Sequence, residues 1–396
     1  MAQVDKAVAN LQDMWYLAVV EGLGLDKSTF MFMQTGEQLP YTTSALWQLI
    51  DTIPPKALTA VLSLGSVNSF YQDYGGLLGS IISPVSDDLV RAMGDSYDDW
   101  NNYKKNVSDA DLDKYGWSGV FQRWAERNMP TGQVPAAIAA FNKDNEHNIV
   151  NISSMKYLQQ SDRNNPFNDK NHKLYNIQIS DITGGRIAHG PKGQVHMNNK
   201  ASSSDVSTTW AKGGVSGVFD IFSLGGSSSY SSTTSKFTNS EVTIDATFEN
   251  VAPVPTFNPG AWYNIAFLTY AYNGDSAWSA SSQITWDSTF GPNGNMQRVI
   301  GSLVVVDGIE VTMTSNASYS SEEQTAIKAQ AKGGVWPFFS ASASGGFNSD
   351  VTFDEQGRMT VKTTTKKGNP MILGANVLSI PKALGISEQK VAATVE

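Results

Sequence analysis

Side chains able to do chemistry are sparse in this chain, and their spacing argues against an active site. The histidines are His147, His172, His189 and His196. His189 and His196 stand seven positions apart across "GPKGQ", a spacing from which a hairpin could bring two imidazoles to one zinc ion. No carboxylate lies at ligand spacing beside them, so ordinary surface histidines are expected and no metal is assigned. "DADLDKYG" sets Asp109, Asp111 and Asp113 at alternate positions, as a calcium loop begins. Its sixth place holds Lys114 where glycine is needed, and its twelfth holds Val120 where a bidentate glutamate is needed. The three aspartates are therefore read as belonging to a helix capped by Ser108, with Asp109 and Asp111 in its first turn.

The absence of cysteine removes disulfides, thiolate metal sites and thiol nucleophiles. No phosphate loop, nucleophile elbow or dinucleotide fingerprint occurs. The carboxylate pair of glycoside hydrolysis leaves no sequence signature, because separation along the chain says nothing of separation in space. The expectation is a non-enzymatic protein without a cofactor.

What stands out instead is a duplication. "AKGGVSGVFDIFSLGG" begins at Ala211 and "AKGGVWPFFSASASGG" begins at Ala331, 120 positions later. Each is bracketed by glycine pairs, Gly213, Gly214, Gly225 and Gly226 in the first and Gly333, Gly334, Gly345 and Gly346 in the second. Glycine permits the positive φ of a sharp reversal, so these are candidate hinges. Between them lie Val218, Phe219, Ile221, Phe222 and Leu224, and, in the second copy, Trp336, Phe338 and Phe339. These eight apolar residues are the candidate membrane or subunit contacts. Around the first insert run "NNKASSSDVSTTW" and "SSSYSSTTSKFTNS", which read as exposed, solvated strands.

An apolar tip between polar strands is the arrangement that β-pore-forming proteins use to enter a bilayer. Against it, a lipid-spanning strand needs an apolar outer face, and "SSSYSSTTS" is polar on both faces, with Tyr230 and then Phe237 as its large side chains. The plainer alternative has each insert plug its own sheet as a core-facing turn. Docking into a neighbouring subunit is the other alternative.

The elements that would position these inserts follow from hydrophobic period. Up to about residue 145 the chain reads as helical: Val4, Val8, Leu11, Met14, Trp15 and Ala18 mark one helix face, and further helices are expected over 43–53, 55–64, 87–100 and 108–128. Beyond about residue 148 the period shortens to two in "LYNIQISDI", "SEVTIDATFENV", "RVIGSLVVVDGIEVTMTS" and "GRMTVKTTT". The fold class is α+β, an N-terminal helical domain (1–148) followed by a duplicated, Ser/Thr-rich antiparallel β region, as a sandwich or long-hairpin sheet. Its units are 149–260 and 298–396, the latter with a basic tail. Residues 261–297 form an aromatic connecting segment.

Composition narrows the partners. A net charge of −9 disfavours nucleic acid. No apolar run reaches membrane-spanning length, and the acidic start is unlike a secretory signal. The expectation is a soluble chain made in the cytosol, with any release by a non-classical route. Function is read as membrane-active and toxin-like, of the β-pore-forming type, in a homo-oligomer whose inserts meet lipid. The alternatives are a self-assembling filament, lattice or shell protein, and a glycan-binding module using exposed Trp and Tyr after Gly260.

Overall fold

The structure, a computed structural model, describes residues 2–54, 69–78, 87–142, 173–201, 229–273, 278, 283–331 and 347–386. Its helices are α1 (Ala2–Gly22), α2 (Thr43–Ile50), α3 (Phe70–Leu78), α4 (Asp87–Met93), α5 (Ser96–Tyr103), α6 (Asp109–Asn128) and α7 (134–142). After these come α8 (Ile179–Asp181), α9 (Ser229–Asn239), α10 (Ile265–Asn273), α11 (Trp286–Thr289), α12 (Ser321–Ala331) and α13 (Ile380–Ala383). The strands are β1 (Phe30–Gln38), β2 (Gly193–Asn198), β3 (Val242–Pro255), β4 (Arg298–Ser318), β5 (Phe347–Phe353), β6 (Arg358–Thr365) and β7 (Met371–Ser379). Helices dominate the first part of the chain and strands the last, which makes the fold α+β. Among the described residues no helix is long and apolar enough to cross a membrane.

Two compact units share the chain without following its order. The first takes Met1–Ser69, Tyr175–Asn258 and Arg298–Glu396; the second takes Phe70–Leu174 and Pro259–Gln297. The first 69 residues, helical by sequence, therefore divide with the sheet.

The first unit is built on β4. This 21-residue strand is long enough to serve two sets of neighbours. Residues 298–306 pair with β7, which in turn pairs with β1, while residues 310–318 pair with β6, which pairs with β5. Along its other side β4 pairs with β3, and β3 with β2, all antiparallel. Asp307 and Gly308 mark the change of neighbour. Gly308 has φ +62°, and the buried Asp307 carboxylate accepts the Gly368 amide at 2.9 and 3.1 Å. One strand runs straight through this point, because the cross-strand bonds resume at Ile309.

Over β2, the first part of β3 and β6 one face of the sheet is apolar and the other polar, whereas residues 303–306 of β4 and 371–375 of β7 are buried on both faces. Val242, Ile244, Ala246 and Phe248 of β3 are buried with Val311 and Met313 of β4 and Met359 and Val361 of β6, as alternation predicts. Helix α1 supplies Leu11, Trp15, Val19 and Val20 to the same core. It stops at Gly24, φ +63°, where Leu25 donates to Val20 O and Gly24 to Glu21 O, the paired bonds of a glycine C-cap. Tyr16 Oη then donates to Phe30 O at 2.9 Å, tying the helix to β1.

Strand β1 corrects the expectation of continuous helix up to residue 145. Phe30, Met31 and Phe32 are consecutive and buried, without helical spacing, and pair with Asn376, Ala375 and Gly374 of β7. "LYNIQISDI" is corrected too: it contributes a bridge residue, Tyr175, and then turns into α8. The Tyr175 hydroxyl donates to the buried Asp51 carboxylate at 2.6 Å, and Trp47 Nε1 donates to Ile177 O at 2.7 Å. Those side-chain bonds to α2 and its C-cap residue Asp51 take the place of a strand ladder.

The second unit has two aromatic clusters. Trp100, Phe121, Trp124 and Phe141 pack together from α5, α6 and α7, with Phe121 and Phe141 stacked at 3.8 Å. Helix α6 starts as expected: Ser108 Oγ accepts the Asp111 amide at 3.2 Å, so these acids belong to a helix start. The other cluster sets Phe70, Tyr71 and Tyr74 around Trp262, with Phe267 against Tyr74. Trp262 is fully buried, and its Nε1 donates to Leu174 O at 2.5 Å. The aromatic segment after Gly260 thus begins in a core. Trp262 offers no face on which a sugar could stack.

Candidate functional site: the strand–helix junctions that carry the inserts

The eight apolar contact residues and eight hinge glycines singled out by sequence all lie outside the described residues. What the structure does describe is how the chain reaches them. From the first insert the chain enters α9 and then, after Ser240 and Glu241, β3. From β4 it turns through Tyr319 and Ser320 into α12, and then reaches the second insert. Strands β3 and β4 are neighbours over a long antiparallel ladder, with Val242 opposite Ser315 at the end where both helices begin or finish. Both inserts therefore hang, each through one helix, from the same end of one strand pair.

That end is clamped by polar side chains. Glu241 accepts from Asn198 Nδ2 and from Asn316 Nδ2, both at 2.9 Å, and so links β2 to β4 across the start of β3. Asn199 returns the favour to the backbone: its Oδ1 accepts the Val242 amide and its Nδ2 donates to Ser240 O, each at 2.9 Å. Beneath, Ser315 Oγ lies 2.9 Å from Ser240 Oγ and 3.1 Å from the Tyr319 hydroxyl. Burial pushes the Tyr319 phenol up to about 12, the Ser315 bond opposing and Glu323 adding to the shift.

The two helices are joined by a charge pair. Lys236 of α9 donates to both carboxylate oxygens of Glu323 on α12, at 2.8 and 2.9 Å. Glu323 also accepts the Ser320 amide at 2.7 Å while its own amide donates to Ser320 Oγ at 3.3 Å, which closes a capping box. Partial burial works against the Glu323 charge, but Lys236 and Ser320 outweigh it and hold the carboxyl below its ordinary range. Against the sheet, α9 buries Thr233, Thr234 and Phe237, a helical three-and-four spacing, and α12 buries Ile327. The Ser/Thr run expected as a strand is thus helical from Ser229 to Asn239, because that spacing gives it one buried face.

Other candidate chemistry is not assembled. His189 sits in the turn after Arg186 and His196 on β2, so no hairpin brings them together. His196 Nδ1 instead lies 2.6 Å from Asp245 Oδ1, its cross-strand neighbour on the exposed face. Sequence spacing hides that carboxylate, 49 positions away. Among the described residues no group of His, Asp and Glu could hold a metal ion. Sequence reading also misses Asp13, a carboxylate buried in α1 whose Oδ1 has no hydrogen-bond partner among the described residues. Burial pushes its pKa up to about 6. An acid one position before the apolar pair Met14–Trp15 is the available signal.

No protein-family model, no curated protein and no solved structure matches this chain.

Proposed function

We propose that this chain is a membrane-active, non-enzymatic protein of the pore-forming type that works as a homo-oligomer, with the inserts at 213–226 and 333–346 as its lipid-contacting parts. The observation that carries the reading is the placement of the two helices. Both inserts are reached from the same end of the adjacent strands β3 and β4, through α9 and α12, which are bonded to each other by Lys236 and Glu323. One structural event at that end would act on both inserts together. Lipid contact in this reading belongs to the apolar residues of the inserts; α9 buries its Phe237 in the protein.

Release of a trapped dye from phosphatidylcholine–phosphatidylserine–cholesterol vesicles tests it. The wild-type chain should release dye, and Phe219→Asp and Phe339→Asp should each lower release at least tenfold, since a carboxylate at a lipid-facing position costs several kcal/mol. Absence of release by the wild-type chain from every lipid mixture tried would end the membrane reading. A self-assembling structural protein would then be the surviving proposal, recognised by filaments or lattices in negative stain.

A further inference from the structure

Helix α9 joins the first insert to β3 and lies against α1 and β4. Its buried face holds Thr233, Thr234 and Phe237, of which Phe237 is the large apolar anchor. Thr234 is 2% exposed, and its hydroxyl oxygen is buried with no hydrogen-bond partner among the described residues. A buried hydroxyl left unpaired weakens the contact that buries it. A threonine inside a helix usually escapes that cost by donating to the carbonyl four residues back. Thr325 of α12 does so, to Ser321 O at 2.8 Å; Thr234 of α9 does not.

The polar bonds between α9 and α12 converge on one carboxylate. Glu323 accepts from Lys236 Nζ at 2.8 and 2.9 Å and from Thr233 Oγ1 at 3.4 Å. Glu323 also caps α12 through the Ser320 amide, a bond that does not involve α9. On the other side, the sheet is closed off from α9 by the polar clamp. The β3–β4 ladder starts with Val242 opposite Ser315. Glu241, bonded to Asn198 and Asn316, and Asn199, bonded to Ser240 O and the Val242 amide, hold that start from outside residues 229–239. The weak contacts thus gather in α9, while the clamp and α12 on either side of it are satisfied. That is the pattern of an element that opens by itself.

We propose that α9 is a strap that comes off the sheet to deploy the first insert, and that the clamp at Asn199 and Glu241 is the stop that keeps β3 paired with β4 while it does. Helix α12 stays in place. The inference rests on the membrane reading above and names its moving part.

Hydrogen exchange of the full chain in solution and dye release from the same vesicles are compared for the wild type, Thr234→Val and Glu323→Gln. In the wild type, amides 229–239 should exchange through an opening that leaves 242–255 protected. Valine keeps the shape of Thr234 and removes the unpaired hydroxyl, so Thr234→Val should slow exchange across 229–239 about tenfold and slow dye release with it. Glu323→Gln removes the charge that Lys236 meets and should speed both about threefold. A variant that is held more tightly and works more slowly has not lost its fold. If Thr234→Val slows exchange yet releases dye as fast as the wild type, the strap is overturned and the membrane reading stands. Exchange across 229–239 that is unchanged by Thr234→Val, or that occurs only together with 242–255, overturns the strap as well. Absence of wild-type release while 229–239 open independently overturns the membrane reading instead.

Discussion

Helices α9 and α12 occupy matching places, one entering β3 and the other leaving β4, yet they are helical for different reasons. In α9, Ser, Thr and Asn fill eight of eleven positions, and such residues bond to nearby backbone in other conformations. Summed over its length, α9 is roughly 4 kcal/mol poorer in helix propensity than an alanine helix. Its conformation comes from the sheet beneath, through Phe237, Thr233 and Thr234. In α12 the run "SEEQTAIKAQA" is rich in good helix formers, places Glu322 and Glu323 in its first turn and is capped by Ser320. One helix is imposed by its surroundings and the other is written into its own residues. If either is to change when the protein acts, it is α9.

The sharpest way to break this comparison is to remove the buried anchor of each helix. Phe237→Ala should cost about 3–4 kcal/mol and Ile327→Ala about 2–3 kcal/mol in denaturant unfolding. Hydrogen exchange separates them: amides 229–239 should lose protection in Phe237→Ala, while amides 323–331 keep most of theirs in Ile327→Ala. Equal loss in both would show that α12 is no more self-sufficient than α9.

Next in size is Asp13, on the helix that packs against α9. Its carboxyl titrates near 6 when folded against 3.8 in an unfolded chain, so the folded state holds the proton more tightly. Stability should fall as pH rises from about 4 to about 6 and level off above. Asp13→Asn should remove that slope and gain about 2 kcal/mol at pH 7, read from urea melts at several pH values. A melt series whose slope is unchanged by the substitution would rule Asp13 out as its source.

Glu323 has the opposite sign. Its folded value lies below the ordinary 4.5, so its contribution is complete above that pH and disappears as pH falls through the folded value. Lys236 is nearly half exposed, which limits the pair, and Glu323→Gln should cost about 0.5–1 kcal/mol at pH 7 through the lost charge, since a glutamine there still accepts the Ser320 amide. The smallest effect sharpens the propensity argument. Thr238→Ala should stabilise α9 by about 0.5 kcal/mol, visible as slower exchange across 229–239.

Much of the sheet is legible in the sequence because one of its faces is dry. Alternation in "SEVTIDATFENV" and "GRMTVKTTT" reports burial directly, and β3 and β6 lie where it puts them. Strand β1 is not legible, since three consecutive buried residues carry no period and its partner is β7, far along the chain. Helix α9 is misread for the converse reason: its own residues favour extended chain, and the deciding contacts come from other elements. As to the site, sequence alone finds the duplicated inserts and their glycines. The clamp that precedes them, Glu241 between Asn198 and Asn316, depends on register and becomes visible only once the strands are paired.

The pairing of β1 with β7 also sets a schedule. Phe30 lies opposite Asn376, so β1 leaves the ribosome long before its partner exists. At roughly 5–20 residues per second, about 20–70 s of synthesis separate the two. Throughout that interval Phe30, Met31 and Phe32 lack the strand that pairs with them. The newborn chain is therefore a natural client for chaperones until β7 has been made.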